Sequence, residues 1–202
     1  MILTINPDNP QSRLIAKVVD ALRKGAVICY PTDTVYGIGC DITQQKAIKR
    51  VFQLKRRPQE KPFSFMCADL KDVSLYGHVS NHAYRCMKKA APGPFTFVLP
   101  GTKLVPRLMM TRQKTVGIRV PDNRICLELV QTLGNPIVTT SAVKQEEEPL
   151  VEAYQLEEAL GRQVDIFIDG GPVYPNPSTV VSFVGDEPEI LRLGKGDPQL
   201  IG

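Results

Sequence analysis

Short β-branched runs alternate with stretches of helical period along the whole chain, and this alternation constrains the fold more than any other feature. The runs are AVICY at 26–30, FSFMC at 63–67, FTFVL at 95–99, TVGIRV at 115–120, PIVTT at 136–140, VDIFI at 164–168, STVVSFV at 178–184 and EILRL at 189–193. Most lack strict apolar–polar alternation, as strands do when helices cover the sheet. Between them lie helices with readable ends. Asn9-Pro10 reads as an N-cap followed by the first helical residue, with Leu14, Ile15, Val18, Val19 and Leu22 on the inner face and Gly25 as the stop. Thr43 can cap a second helix that turns Ala47, Ile48, Val51, Phe52 and Leu54 inward, with Pro58 ending it. Ser80 opens a helix to about Ala91, and residues 125–134 form another that closes on Gly134. Residues 152–160 form a further helix. The last two runs meet at Gly185-Asp186, close enough for a hairpin, so the sheet is mixed. No internal repeat is visible, and 202 residues fit a single domain, here spanning 10–196.

Composition excludes several classes. Hydrophobic residues at 43% and charged residues at 23% are ordinary for a globular domain. The five cysteines have no C-x-x-C pair and are odd in number, which fits a reducing cytoplasm better than a disulfide scaffold or zinc site. The N-terminus lacks the basic and apolar regions of a signal peptide, and no apolar run reaches the roughly 18–20 residues of a membrane helix. The expected location is therefore cytoplasmic, with no membrane partner. The net charge of +4 is mild, but Lys46, Lys49, Arg50, Lys55, Arg56, Arg57 and Lys61 crowd together with Glu60 alone opposing them. Such a patch suits an anionic partner.

Polar and basic residues collect at strand ends. PTDTVYGIG (31–39) follows a strand directly. Pro31 stops that strand, and Gly37 and Gly39 allow a turn or the close approach of a ligand. Thr32, Asp33, Thr34 and Tyr36 there are ligand contacts or ordinary turn caps. In KRRPQEKPF (55–63), Lys55, Arg56 and Arg57 fall at a helix C-terminus, where cations are favoured anyway, and Lys61 follows on a proline-stiffened turn. The stretch is a solvated cap or an anion site. Arg119 in GIRVP is flanked by apolar residues and binds either a carboxylate or phosphate or an internal acid. TTSAV (139–143), PSTVV (177–181) and LRLGKG (191–196) add hydroxyls and cations that are weak signals singly. His78 and His82 lie at i and i+4 without H-E-x-x-H. The common phosphate-binding glycine motifs and the G-x-S-x-G elbow are absent.

The order of these motifs carries more than any one of them. PTDTVYGIG, K-R-R-P-x-x-K-P, PGPFTFVL, GIRVP, TTSA, PSTVV and ILRLGKG together resemble the YrdC-like family over residues 10–196. That resemblance implies an α/β fold with a twisted, open mixed sheet, helices packed on it and a deep positively charged cavity. It implies threonylcarbamoyl-AMP synthase activity, in which ATP, L-threonine and bicarbonate give threonylcarbamoyl adenylate and pyrophosphate for tRNA modification, with Mg²⁺ accompanying ATP. Other members are described as binding double-stranded RNA, which makes RNA the alternative partner. By the same resemblance Lys55 and Arg57 match a triphosphate clamp. Thr32, Thr34, Tyr36, Lys61, Arg119, Thr139, Ser141, Ser178 and Arg192 match positions contacting ATP or threonine, and Arg119 suits the threonine carboxylate. No metal-binding side chain is implied. Two positions depart from the synthase pattern: Ser141-Ala142-Val143 stands where the synthases read S-A-N, and Cys67 stands where they carry His. FSFMCADL and INPDNP resemble the YciO branch.

Overall fold

The computed structural model describes residues 1–58, 63–142, 153–160, 163–173, 176–185 and 187–201. Among them the strands are β1 (Ile2–Thr4), β2 (Ile28–Tyr30), β3 (Gly37–Asp41), β4 (Ser64–Met66), β5 (Phe95–Pro100), β6 (Thr115–Arg119), β7 (Ile137–Ser141), β8 (Ile166–Asp169), β9 (Thr179–Ser182) and β10 (Glu189–Arg192). The helices are α1 (Ser12–Arg23), α2 (Gln45–Leu54), α3 (Leu70–Tyr76), α4 (Asn81–Ala90), α5 (Arg124–Leu133) and α6 (Ala153–Leu160). One open sheet takes all ten strands in the order β1-β8-β2-β3-β7-β4-β6-β5-β9-β10. The pairs β1–β8, β2–β8, β4–β6 and β5–β9 are parallel and the remainder antiparallel, including the expected β9–β10 hairpin. No helix among the described residues is long and apolar enough to cross a membrane.

Strand periodicity divides the sheet into two unequal faces. Cys29, Ile38, Cys40, Phe65, Cys67, Phe97, Ile118, Val138, Phe167 and Val181 point to one side, where α2, α3, α4 and α6 cover them in a large apolar cluster. Ile28, Tyr30, Met66, Ile137, Ile166 and Ile168 point to the other, under α1 and α5. On this second face the apolar cover ends near β4. Beyond it β6 carries Thr115, Gly117 and Arg119, β5 carries Thr96, and Ser178 lies at the start of β9. A row of polar side chains, called here the trough, therefore lies where the apolar cover stops.

Several helix ends differ from the sequence reading. α1 begins at Ser12 because Asn6 Oδ1 accepts from the Asp8 and Asn9 amides, which ties 6–9 into a loop. Thr43 is exposed and caps nothing; its own amide donates to Asp41 Oδ1, and α2 starts at Gln45. α2 also stops before Pro58. The Arg56 amide donates to Gln53 O and that of Arg57 to Phe52 O, which is the Schellman pattern, with Arg56 left-handed at φ +47. Ser80 caps α4 as expected, accepting from the Ala83 amide, and Gly134 ends α5 in the left-handed region. The strands β1 and β3 and the helix α3 are additional to the sequence reading. Asp186, expected in the hairpin turn, lies outside the described residues.

Candidate active site

The loop after β2 forms one wall of the trough. Thr32 Oγ1 accepts from the Thr34 and Val35 amides and donates to Val35 O, folding residues 32–35 on themselves. Pro31 O accepts from Cys126 Sγ of α5, which holds the loop over the second face. Arg119 reaches it from β6: Nη1 donates to Thr34 Oγ1 at 3.1 Å and Nη2 to Asp33 Oδ1 at 2.6 Å. The pair is sealed, with side chains 9% and 8% exposed, and leaves Arg119 Nε and Asp33 Oδ2 without partners among the described residues. The internal ion pair that the sequence left open is therefore formed.

The opposite wall comes from the C-terminal hairpin. Thr96 Oγ1 and Ser178 Oγ share a hydrogen bond of 2.8 Å, and Arg192 donates to Ser178 O and Oγ. A bulge between Ile190 and Arg192 sets Arg192 opposite Val180, on the trough side of the sheet. Burial, and then the nearby Arg119 charge, lower the tendency of Arg192 to hold its proton. Lys195 Nζ donates to Asp33 O at 2.5 Å and joins the two walls.

The floor is made of small residues. Tyr30 lies across Gly37 and Gly39, where a Cβ would come within 2.9 and 3.1 Å of its side chain, and its hydroxyl donates to Thr139 Oγ1 at 2.6 Å. Gly37 and Gly39, expected to allow a turn or the close approach of a ligand, are therefore strand residues that make room for Tyr30. Burial of Tyr30 pushes its hydroxyl's proton affinity far up, so it stays a neutral donor.

The expected site residues separate into groups. Thr32, Thr34 and Arg119 come together, Ser178 and Arg192 come together beside them, and Thr139 lies on the floor. Tyr36 instead belongs to the apolar cluster of the other face. Its ring stacks on Phe167 at 5.8 Å and its hydroxyl donates to Gly171 O. Lys55 is the C-cap residue of α2, Arg57 lies against Phe63 just before β4, and exposed Ser141 ends β7 opposite the β3 start. The Arg57 guanidinium lies 5.1 Å from the Phe63 ring centroid, and burial lowers its proton affinity. Arg57 and Arg56 border, with Lys49, Phe52, Gln53 and Pro58, a depression of about 360 Å³. Lys61 and Val143 lie outside the described residues. Cys67 faces the large cluster beside Phe65, not the trough, and burial holds its thiol protonated. Asp33, a candidate of the PTDTVYGIG motif, and Lys195, a cation of LRLGKG, also take part in the site, and Thr96 joins them without having been singled out.

An open mixed sheet with a cluster of polar and arginine side chains on its less covered face defines an α/β domain. The Sua5/YciO/YrdC family model, described as "Telomere recombination", matches residues 20–194, and the chain belongs to that family. Escherichia coli YciO, described as uncharacterized, is 42% identical over 195 residues, covering 96% of this chain and 95% of that protein. Its crystal structure superposes with a TM-score of 0.94 at 40% identity, covering 100% of this chain and 98% of the other. The threonylcarbamoyl-AMP synthase of Pyrococcus abyssi is 31% identical over 175 residues, covering 86% of this chain and 52% of the synthase, so this chain matches about half of that protein's length. The crystal structure of P. abyssi Sua5 complexed with L-threonine has a TM-score of 0.92 at 28% identity, covering 100% of this chain and 61% of that one.

Proposed function

We propose that the trough binds L-threonine and ATP and that the chain forms threonylcarbamoyl adenylate. The observation that carries this reading is that Lys195, bonded to Asp33 O, ties the Arg119–Asp33 wall to the hairpin that carries Arg192, over one polar floor, in a fold shared with a threonine-bound relative. The threonine amine adds to carbon dioxide derived from bicarbonate and loses a proton, giving a carbamate. A carbamate oxygen then attacks the α-phosphorus of ATP, and the bond to pyrophosphate breaks. No side chain needs to become a nucleophile, so the chain contributes position and charge. Arg192 takes the threonine carboxylate with the positive charge of the sealed Arg119 behind it, and Thr34 and Ser178 fix the nearby polar groups. Lys55 and Arg57, with Lys61 and Ser141, take the triphosphate. Among the described residues no cluster of three His, Cys, Asp or Glu could hold a metal, so Mg²⁺ would arrive on the ATP phosphates and offset their charge there. The test supplies purified protein with ATP, bicarbonate and L-threonine. Threonine-dependent pyrophosphate and an adenylate product are expected, and their absence removes the reading.

A second reading is RNA or nucleotide binding without this reaction. The exposed cations Lys46, Lys49, Arg56 and Arg57 along and after α2 favour it. Binding through phosphates falls steeply with salt because counterions are released. A filter-binding titration that shows no binding, or binding indifferent to salt, eliminates it.

A further inference from the structure

The hydroxyls of the trough are nearly all committed to one another. Thr139 accepts from Tyr30, Thr96 pairs with Ser178, and Thr34 holds Arg119. Ser64 differs. It opens β4 opposite Thr139 of β7, on the trough side, and is only half-buried. Its Oγ has no hydrogen-bond partner among the described residues. Beside it on β6 is Gly117, also half-buried, where a Cβ would lie 2.6 Å from Ser64 Oγ and 3.5 Å from Thr96 Cγ2. The missing side chain leaves a small pit with a free hydroxyl on one rim and a methyl group on the other. Arg119 is two residues along the same strand and, by the alternation of strand side chains, on the same face.

We propose that Ser64 is a specificity-determining residue that reads the hydroxyl on the β-carbon of the amino-acid substrate. The inference rests on the reading of the trough as a threonine site. With the substrate carboxylate held from the Arg119 and Arg192 side, its β-carbon falls over Gly117. A β-carbon bearing one hydroxyl and one methyl matches the two rims: Ser64 Oγ hydrogen-bonds the hydroxyl, and the Thr96 methyl packs against the methyl. An apolar analogue would leave Ser64 cut off from water and unpaired, and a site built to bond a hydroxyl rejects ligands that lack it.

The test measures L-threonine and L-2-aminobutyrate, which differ by that one hydroxyl, by calorimetry with a non-hydrolysable ATP analogue present. Wild-type protein and Ser64→Ala are compared, with thermal melts confirming that both fold. Wild type should prefer threonine by about tenfold, the value of one hydrogen bond in a closed site. Ser64→Ala should lose most of that preference while its affinity for 2-aminobutyrate stays within about twofold. Gly117→Ala, which fills the pit, should weaken both ligands. Threonine binding with an unchanged preference in Ser64→Ala overturns this inference and leaves the proposed function standing. Failure of wild type to bind either amino acid overturns the proposed function, and this inference with it.

Discussion

Arg56 and Arg57 are adjacent, yet the backbone gives them opposite tasks. Arg56 holds the left-handed position of the α2 Schellman turn at φ +47, where a Cβ is unfavourable, and its side chain is exposed. Arg56→Gly should therefore raise stability by about 0.5–1 kcal/mol in urea denaturation and leave ATP affinity nearly unchanged. Arg57 is fixed against Phe63 at the approach to β4. Arg57→Ala should weaken ATP binding far more than Arg56→Ala in a nucleotide titration; equal losses would make the stretch a diffuse basic surface. The sealed Arg119–Asp33 pair follows a different rule. Asp33→Ala strands a buried guanidinium and should cost about 3–5 kcal/mol. An Arg119→Met, Asp33→Ala double variant should recover much of that loss. If the two single losses simply add, the pair carries no coupling and the geometry of the wall has another cause.

At the scale of elements, the sequence pattern located strands with a buried, β-branched face and helices with a strong apolar stripe. It failed where an element is short or its pattern is unusual. β1 has only three residues and a mostly exposed pattern, and α3 buries Val73 alone, so neither shows a period. β3 reads GIGCD, and its glycines read as a turn or a place for a ligand to approach. Their reason is lateral and therefore not visible along the chain: Tyr30 of the neighbouring strand lies over them, and a Cβ at Gly39 would sit 2.1 Å from Val138 O on β7. A contact that short with a backbone oxygen cannot be relieved by a rotamer change. Gly39→Ala should cost several kcal/mol, on the order of a large core defect, and move Tyr30 off Thr139. A melting temperature within a degree or two of wild type would show that β3 and β7 separate more readily than their register implies.

At the scale of the molecule, the site depends on strand order, and strand order is the part a single sequence hides. Thr32 with Thr34, and Ser178 with Arg192, were legible as polar strand-end motifs. That Asp33 meets Arg119 was not, because β3 and β6 are separated in the sheet by β7 and β4. Thr96, Lys195 and Ser64 become neighbours of the site only when β9 folds beside β5 and β6 beside β4. The same long-range closure is held on the other side by Arg50 of α2, which bonds Asp165 Oδ2 at 2.5 Å and Gln163 O at 3.0 Å just before β8. The Val27 amide donates to the same Asp165 oxygen at 2.8 Å, so one carboxylate joins α2, β2 and β8. Burial acts to raise the Asp165 pKa, but the Arg50 hydrogen bond, the Val27 amide and the Arg50 charge outweigh it, and the net shift is downward. A carboxyl held below its unfolded value adds stability above about pH 4, and that stability is lost as pH falls through the folded value. Both side chains are 41% exposed, so solvent screening limits the contribution to about 1 kcal/mol. Asp165→Asn should be less stable than wild type by about that amount at pH 7, and the gap should narrow as urea titrations are carried down through the acid range and the carboxylate is protonated. A gap that stays constant across the acid range would mean that the contact stabilises by its shape, through the Val27 amide, rather than by its charge.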